Sequence, residues 1–307
     1  MSHFTVMVIG DDIESQLAPF HEFECTGIND QYVQDEDITE EVQSAINEGD
    51  SIEDALDYHG LADNIVDDES KVEKVGDECQ HKYGYAIVKD GKLIKAVNRT
   101  NPNRKWDWYQ VGGRWSGFLT LKPEFVGQGE NGDRSWTNRD EAISPTKCDS
   151  ALKSQIDFEG MRKEDGDAAA KRWDEAHAAI AGRTWKTWEQ ISEEIKDASE
   201  GQNVWDMRRK VYNSQEGLTA LRAVFDNPFA NLDEYLVSRE EYIQQYRDGA
   251  ISTYALLKDG VWYEKGEMGW WGMSNDKMSQ GEWNAQVAKL LDELPDDTRI
   301  TIVDCHI

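Results

Sequence analysis

Apolar and polar positions along the chain fall into three regimes, β-patterned at both ends and helical between them. Phe4–Ile9 alternates and is β-branched enough to predict a buried strand, and it stops at Gly10-Asp11-Asp12. Tyr83–Val88 and Leu93–Val97 flank Asp90-Gly91, a two-residue hairpin signal because a type I′ turn needs positive φ at both central positions. Trp106–Val111 and Arg114–Leu121 flank Gly112-Gly113, predicting a second hairpin, and 126–148 reads as a loop. From about Ser150 the period becomes helical. Ala168–Ala181, Thr184–Ala198, Val204–Tyr212, Leu218–Phe225 and Arg239–Tyr246 each space apolar residues by three and four. After Ile251 the strand pattern returns in Tyr254–Leu257, Val261–Tyr263 and Met268–Trp271, with Asp259-Gly260 as a further turn. A helix at Trp283–Leu294 and a closing strand at Arg299–Ile307 complete the pattern.

Asp37-Ile-Thr-Glu40 reads as a capping box for a short helix with Val42 and Ile46 on its apolar face, and Ser51 as the cap of another. Together these elements predict an α+β fold: a discontinuous mixed or antiparallel sheet from 1–125 and 251–307, a loop over 126–148 and a helical insertion over 149–250. Tyr85-Ala-Ile-Val-Lys-Asp-Gly91 and Tyr254-Ala-Leu-Leu-Lys-Asp-Gly260 echo each other, through a diverged duplication or through two hairpins choosing the same turn chemistry.

Charge changes the picture. The 307 residues carry 61 Asp+Glu against 33 Lys+Arg, a formal net charge of -28. Residues 1–80 supply a net of -21, while 81–125 are net +6. Between Asp35 and Glu69 there are fourteen carboxylates and no Lys or Arg. Such a run is a solvated face, an anionic docking surface imitating a phosphate backbone, or a divalent-cation site, although it contains no EF-hand loop. An acidic molecule repels phosphate, which argues against direct nucleic-acid binding. No window of the sequence suits a membrane span, no signal peptide is evident, and four Cys in so long a chain predict a reducing compartment.

Candidate chemistry concentrates in Trp106-Asp-Trp-Tyr-Gln-Val-Gly-Gly-Arg-Trp-Ser-Gly-Phe118, where alternation puts Trp106, Trp108 and Gln110 on one strand face. Arg114 between aromatics suits an anion or a planar base; equally, it suits a packed aromatic hairpin whose Arg neutralises Asp107. Gly266-Glu-Met-Gly-Trp-Trp-Gly272 repeats the logic with Glu267, a candidate raised-pKa acid or cation-binding corner, or part of a turn packed on a core. The soft-ligand pairs His21 with Cys25, Cys79 with His81, and Cys305 with His306 form no metal motif, and Cys305 and His306 should face opposite sides of a strand. Walker, Rossmann, Gly-x-Ser-x-Gly and kinase patterns are absent, so the sequence assigns no catalytic residue, metal or cofactor.

Met1-Ser-His-Phe-Thr-Val-Met-Val-Ile-Gly-Asp-Asp, Leu17–Gly27, Trp106–Phe118, Gly266–Gly272 and Val303-Asp-Cys-His-Ile307 resemble a family of accessory proteins encoded by tailed phages and prophages. The resemblance covers both ends of the chain, brings no catalytic residues, and implies work in the host bacterial cytoplasm. By analogy with phage inhibitors of the Gabija defence, which are of similar size, it implies an inhibitor of a host defence protein complex, a nuclease among the partners that its charge would suit.

The expected partner-binding residues are Asp35, Glu36, Asp37, Glu40, Glu41, Asp54 and Asp57 for steering, and Trp106, Trp108, Arg114, Trp115, Trp270 and Trp271 for anchoring. The alternative is a nucleotide-like ligand site or enzyme that joins Arg114 and Glu267 in one pocket. A virion component is a third reading, without fibre repeats to support it. The aromatic load and the segregated charge also predict an even-numbered homo-oligomer that weakens in salt.

Overall fold

A computed structural model describes residues 2–22, 30–74, 79–133, 143–197, 203–268 and 274–307. In chain order the strands and α-helices are β1 His3–Ile9, α1 Ile13–Leu17, β2 Gln34–Asp37, α2 Thr39–Glu48, α3 Ile52–Tyr58, β3 Ile65–Val66, β4 Gly84–Lys89 and β5 Lys92–Thr100. Then come β6 Trp108–Val111, β7 Leu119–Thr120, β8 Lys147–Cys148, β9 Ser150–Leu152, α4 Phe158–Ile180, α5 Trp188–Glu194, α6 Val204–Asn213, α7 Glu216–Phe225 and α8 Arg239–Gly249. The chain ends with β10 Ala255–Lys258, β11 Val261–Glu264, β12 Gly266–Met268, β13 Ser274–Asp276, α9 Gln280–Asp292 and β14 Arg299–His306. The fold is α+β.

The chain divides into two compact units. The first holds Met1–Ile156, Thr253–Met278 and Leu294–Ile307. Its principal sheet runs β11-β10-β1-β14-β6, with β9 also paired to β14. β1 lies parallel to β10 and antiparallel to β14, with Phe4 opposite Cys305 and Val6 opposite Val303. Phe4, Val6, Val8, Ala255, Leu257, Val303 and Cys305 fill one face together with Leu17 and Trp106. Met7, Ile9, Ile300 and Ile302 are buried on the other face, which is why Val6–Ile9 is apolar at every position rather than at alternate ones.

A second sheet, β2-β5-β4-β3, forms a lobe of the same unit. Val42 on α2 and Ala55 and Leu56 on α3 pack on Ala86 and Ala96. Ser51 caps α3 by accepting the Asp54 N–H at 3.0 Å. Asp37 acts differently from a capping box: its carboxylate takes both the N–H and the hydroxyl of Thr39, and α2 starts at Thr39. The Asp90-Gly91 and Asp259-Gly260 turns close the β4–β5 and β10–β11 hairpins, all four residues having positive φ. In each hairpin the first strand has a parallel partner on its other side, β3 for β4 and β1 for β10.

The second unit comprises Asp157–Ser252 and Ser279–Glu293. Asp157 caps α4, and Thr187 with Gln190 and Ser279 with Glu282 form capping boxes. Ile191, Leu218, Leu221, Leu232, Tyr235 and Tyr242 form its core with Ala169, Ala176 and Ile180.

The structure corrects three expectations. Gly112-Gly113 closes no hairpin: β6 pairs with β14, the chain enters a 3-10 turn at Gly113–Trp115, and β7 pairs with β8. The expected loop over 126–148 ends in β8, and the first unit runs on through β9 to Ile156, so the helical segment begins at Asp157 rather than 149. Helix α9, expected with the sheet, belongs to the helical unit.

Candidate functional site

The acidic run folds as β2, α2, α3, β3 and the turns between them. All fourteen carboxylates from Asp35 to Glu69 are exposed; those on α2 and α3 lie away from the apolar stripes that face the sheet, and Tyr58 is exposed with them. Among the described residues three of them are ion-paired: Asp35 with Arg99 at 2.9 Å, Asp67 with Lys71 at 2.6 Å, and Glu69 with Lys95 at 3.2 Å. Local donors hold several carboxyls below the usual range: the Thr39 hydroxyl and N–H act on Asp37, Lys71 on Asp67, and Ser70 on Asp68. Glu40, Glu41, Asp54 and Asp57 are exposed, as is Glu36, which also borders a cavity.

Asp35 is the exception in role. Its partner Arg99 is a buried side chain that also donates to the carbonyls of Glu73 at 2.8 Å and His81 at 3.2 Å, and it lies over the Tyr85 ring. Here Asp35 is the counter-ion of a structural guanidinium.

The same corner gathers Glu73, Cys79 and His81, whose ligating atoms lie within 4.8 Å of one another. A cation fits poorly. His81 Nδ1 accepts the Glu73 N–H at 3.1 Å, which places the neutral imidazole's proton on Nε2 and leaves no lone pair for a metal. The Arg99 guanidinium, 3.6 Å from the Cys79 sulfur, already supplies positive charge there.

In the principal sheet, buried polar residues occupy the face opposite the Phe4–Val303 core. His3 Nδ1 and Asp304 Oδ1 are 2.9 Å apart, and His306 Nδ1 lies 2.7 Å from Asp107 Oδ1. The two imidazole rings meet edge to face at 4.9 Å, and Trp108, 43% exposed, stacks on His306. Asp304 Oδ2 also accepts the Arg114 N–H at 3.0 Å. Beside it, Asp149, fully buried, accepts from Gly117 N at 2.6 Å, Gly132 N at 2.9 Å and the Ser116 hydroxyl at 3.1 Å. The glycine pair exists for these carboxylates. A Cβ on Gly112 would overlap Asp149 and one on Gly113 would overlap Asp304, and both residues have positive φ. This constellation ties β1, β14 and β6 together.

The expected aromatic anchors separate. Trp106 is core: its indole donates to the Leu17 carbonyl at 3.2 Å and it packs against Tyr109. Sequence alternation had placed Trp106 and Trp108 together. The backbone of Trp106 instead pairs with Phe20 and Glu22, the register resets at Asp107, and the two indoles end on opposite faces. Trp108 borders a cavity of about 500 Å³ with Tyr109, Gln110 and Asp133. Arg114 is exposed and Trp115 half-buried; Trp270 and Trp271 lie outside the described residues, as does Cys25. Cys305 faces the core and His306 the opposite side, and burial pushes the Cys305 thiol well up.

A second cavity, of about 390 Å³, opens where β2 approaches the margin of the principal sheet, and the sequence reading missed it. Phe4, Tyr254 and Trp262 line it with their rings, and Glu36, Glu264 and Glu267 with carboxylates; Arg104 and Lys105 contribute the positive side chains. One signal was available: in a strand after Asp259-Gly260, Trp262 and Glu264 share a face. Glu267 lines this cavity and Arg114 does not, and neither borders the cavity beside Trp108, so neither cavity joins the two as a nucleotide-like site would need. Comparison of the chain with protein-family models, curated proteins and solved structures gives no match. Among the described residues no helix is long and apolar enough to cross a membrane.

Proposed function

We propose that the protein is an interaction protein that works by docking: its acidic lobe engages the basic, nucleic-acid-facing surface of a host antiviral defence complex and blocks it sterically, inside an infected bacterium's cytoplasm. One observation carries this reading. Fourteen like charges are held exposed on one small lobe, and three of them are neutralised by an ion pair among the described residues. Such a field accelerates encounter with a basic groove and competes there with phosphate, and a nuclease is the partner class it suits. The phage resemblance at both chain ends supports the setting. Capture from infected-cell lysate at physiological salt tests the proposal, run beside a variant with Glu40→Gln, Glu41→Gln, Asp54→Asn and Asp57→Asn. A host nucleic-acid-processing complex retained by the parent and lost by the variant is expected; no host partner, or equal capture by both, defeats it.

A nucleotide-like ligand is the second reading, favoured by the half-exposed Trp108 beside its 500 Å³ cavity. Asp133 and the lack of a lining Arg or Lys among the described residues count against a phosphate there.

A further inference from the structure

We infer that the cavity between β2 and the principal sheet is a receptor for a single basic side chain, a guanidinium in first place, presented by a protein partner. This rests on the docking reading and names what anchors the partner once the lobe has steered it. Phe4 forms the floor, its ring 5.5 Å from Tyr254 at 64° and 6.4 Å from Trp262 at 74°, so aromatic surfaces meet it at steep angles on two sides. The cavity beside these packed rings gives a flat cation room to lie over an aromatic face. The carboxylates are graded by their commitments. Glu264 is spent, with one oxygen 2.8 Å from Lys105 Nζ and the other accepting the Trp262 indole N–H at 2.8 Å, which fixes that indole in place. Glu267 is paired with Lys277. Glu36 is exposed and forms no ion pair among the described residues.

The positive side chains of the cavity do not make it an anion site. Lys105 is neutralised by Glu264, and Arg104 leans towards Glu22 at 3.9 Å while donating to the Thr100 hydroxyl at 3.2 Å. An anion would meet three carboxylates, whereas a guanidinium would meet Glu36 and the ring faces. The negative surroundings register on Tyr254, whose hydroxyl is pushed up by burial and by Glu264, Asp276 and Glu267. A guanidinium is favoured over an ammonium because its flat, weakly hydrated surface stacks while its edge pairs with a carboxylate.

The test uses the full chain with ¹⁵N-labelled indoles, reading the Trp262 Nε1–H resonance identified by Trp262→Phe. The probes are acetyl-Gly-Arg-Gly-amide, its citrulline counterpart of nearly the same shape without charge, and inorganic phosphate. The arginine peptide should shift the Trp262 signal with a Kd on the order of 1 mM, about tenfold tighter than citrulline. Glu36→Gln, an exposed substitution that leaves the fold alone, should weaken it about threefold to tenfold. The four-site variant that neutralises the lobe should bind the peptide within about threefold of the parent, since those charges act only through screened distance. Arginine binding retained in that variant while lysate capture is lost supports the cavity and separates it from steering. Equal binding of citrulline, no effect of Glu36→Gln, or a Trp262 shift caused by phosphate overturns the inference and leaves the docking reading to its own test.

Discussion

The carboxylates of the acidic lobe and those of the principal sheet are the same chemical group put to opposite uses. Between Asp35 and Glu69 they all face water, and most carry out no local bonding to a cation among the described residues. Asp149 and Asp304 are buried, and every oxygen accepts a hydrogen bond or faces an imidazole nitrogen. A carboxylate in water contributes field and solubility at little cost to the fold, whereas a buried one must be fully satisfied or it destabilises. The lobe is therefore free to vary its charge for a partner, and the sheet is not.

Removing Asp149 should give the largest effect. Asp149→Ala leaves the N–H groups of Gly117 and Gly132 and the Ser116 hydroxyl facing an empty volume, at a cost of about 3–5 kcal/mol in urea unfolding. A loss below about 1 kcal/mol would mean that water replaces the carboxylate and that the two regions differ less than argued.

The pH dependence sharpens the same contrast. Burial, with Asp149 alongside, pushes the Cys148 thiol from 9.0 up to about 11. The folded protein therefore holds a proton that the unfolded chain releases, so this stability is complete below pH 9 and is lost as pH rises towards 11. The two-unit interval sets a ceiling of roughly 2–3 kcal/mol. In the lobe the sign reverses: Asp37, Asp67 and Asp68 have lowered values, so their small contributions are present above the ordinary carboxylate range and fade in acid. Thermal unfolding scanned across pH should show an alkaline limb that Cys148→Ala flattens in part, the buried Cys305 thiol acting in the same direction. An unchanged slope in that variant would remove the thiol from the account.

Within the lobe, Asp35 should stand apart from its neighbours. Asp35→Asn deprives buried Arg99 of its counter-ion and should cost about 1–2 kcal/mol, while Glu40→Gln or Asp57→Asn should stay within about 0.5 kcal/mol. Equal effects at the three sites would show that Arg99 finds adequate compensation from the carbonyls of Glu73 and His81.

How much of this was legible follows from how local each cause is. Asp90-Gly91 and Asp259-Gly260 were readable because a type I′ turn depends on two residues and their flanks. Gly112-Gly113 looked the same and was not, because the reason for its glycines lies at Asp149 and Asp304, far along the chain. Asp149 gave no signal in sequence, since an aspartate is ordinarily a surface residue and only three converging donors permit its burial. Trp106 looked like an exposed anchor by strand alternation, but hydrogen bonds to Phe20 and Glu22 reset the phase. The exposure of the carboxylates on α2 and α3 was legible, because the helix period put the apolar stripe on one side, whereas β2 carries no apolar alternation to reveal it as a strand.

Self-association should show the smallest effect. Complementarity between the basic 81–125 segment of one copy and the acidic 1–80 segment of another predicts an assembly sensitive to salt. The fold uses much of that complementarity inside one chain, where β5 pairs with β2, Arg99 with Asp35 and Lys95 with Glu69. The edge strand β2 also presents Asp35, Glu36 and Asp37, and a charged edge opposes strand pairing between copies. An even-numbered homo-oligomer remains the expectation from the aromatic load, but its contacts should be mainly apolar. Its mass by light scattering should then change little between roughly 0.01 M and 0.15 M salt, although the screening length falls from about 30 Å to about 8 Å. A monomer at both salt concentrations ends the expectation of assembly, and dissociation on adding salt would show that charge still links the copies.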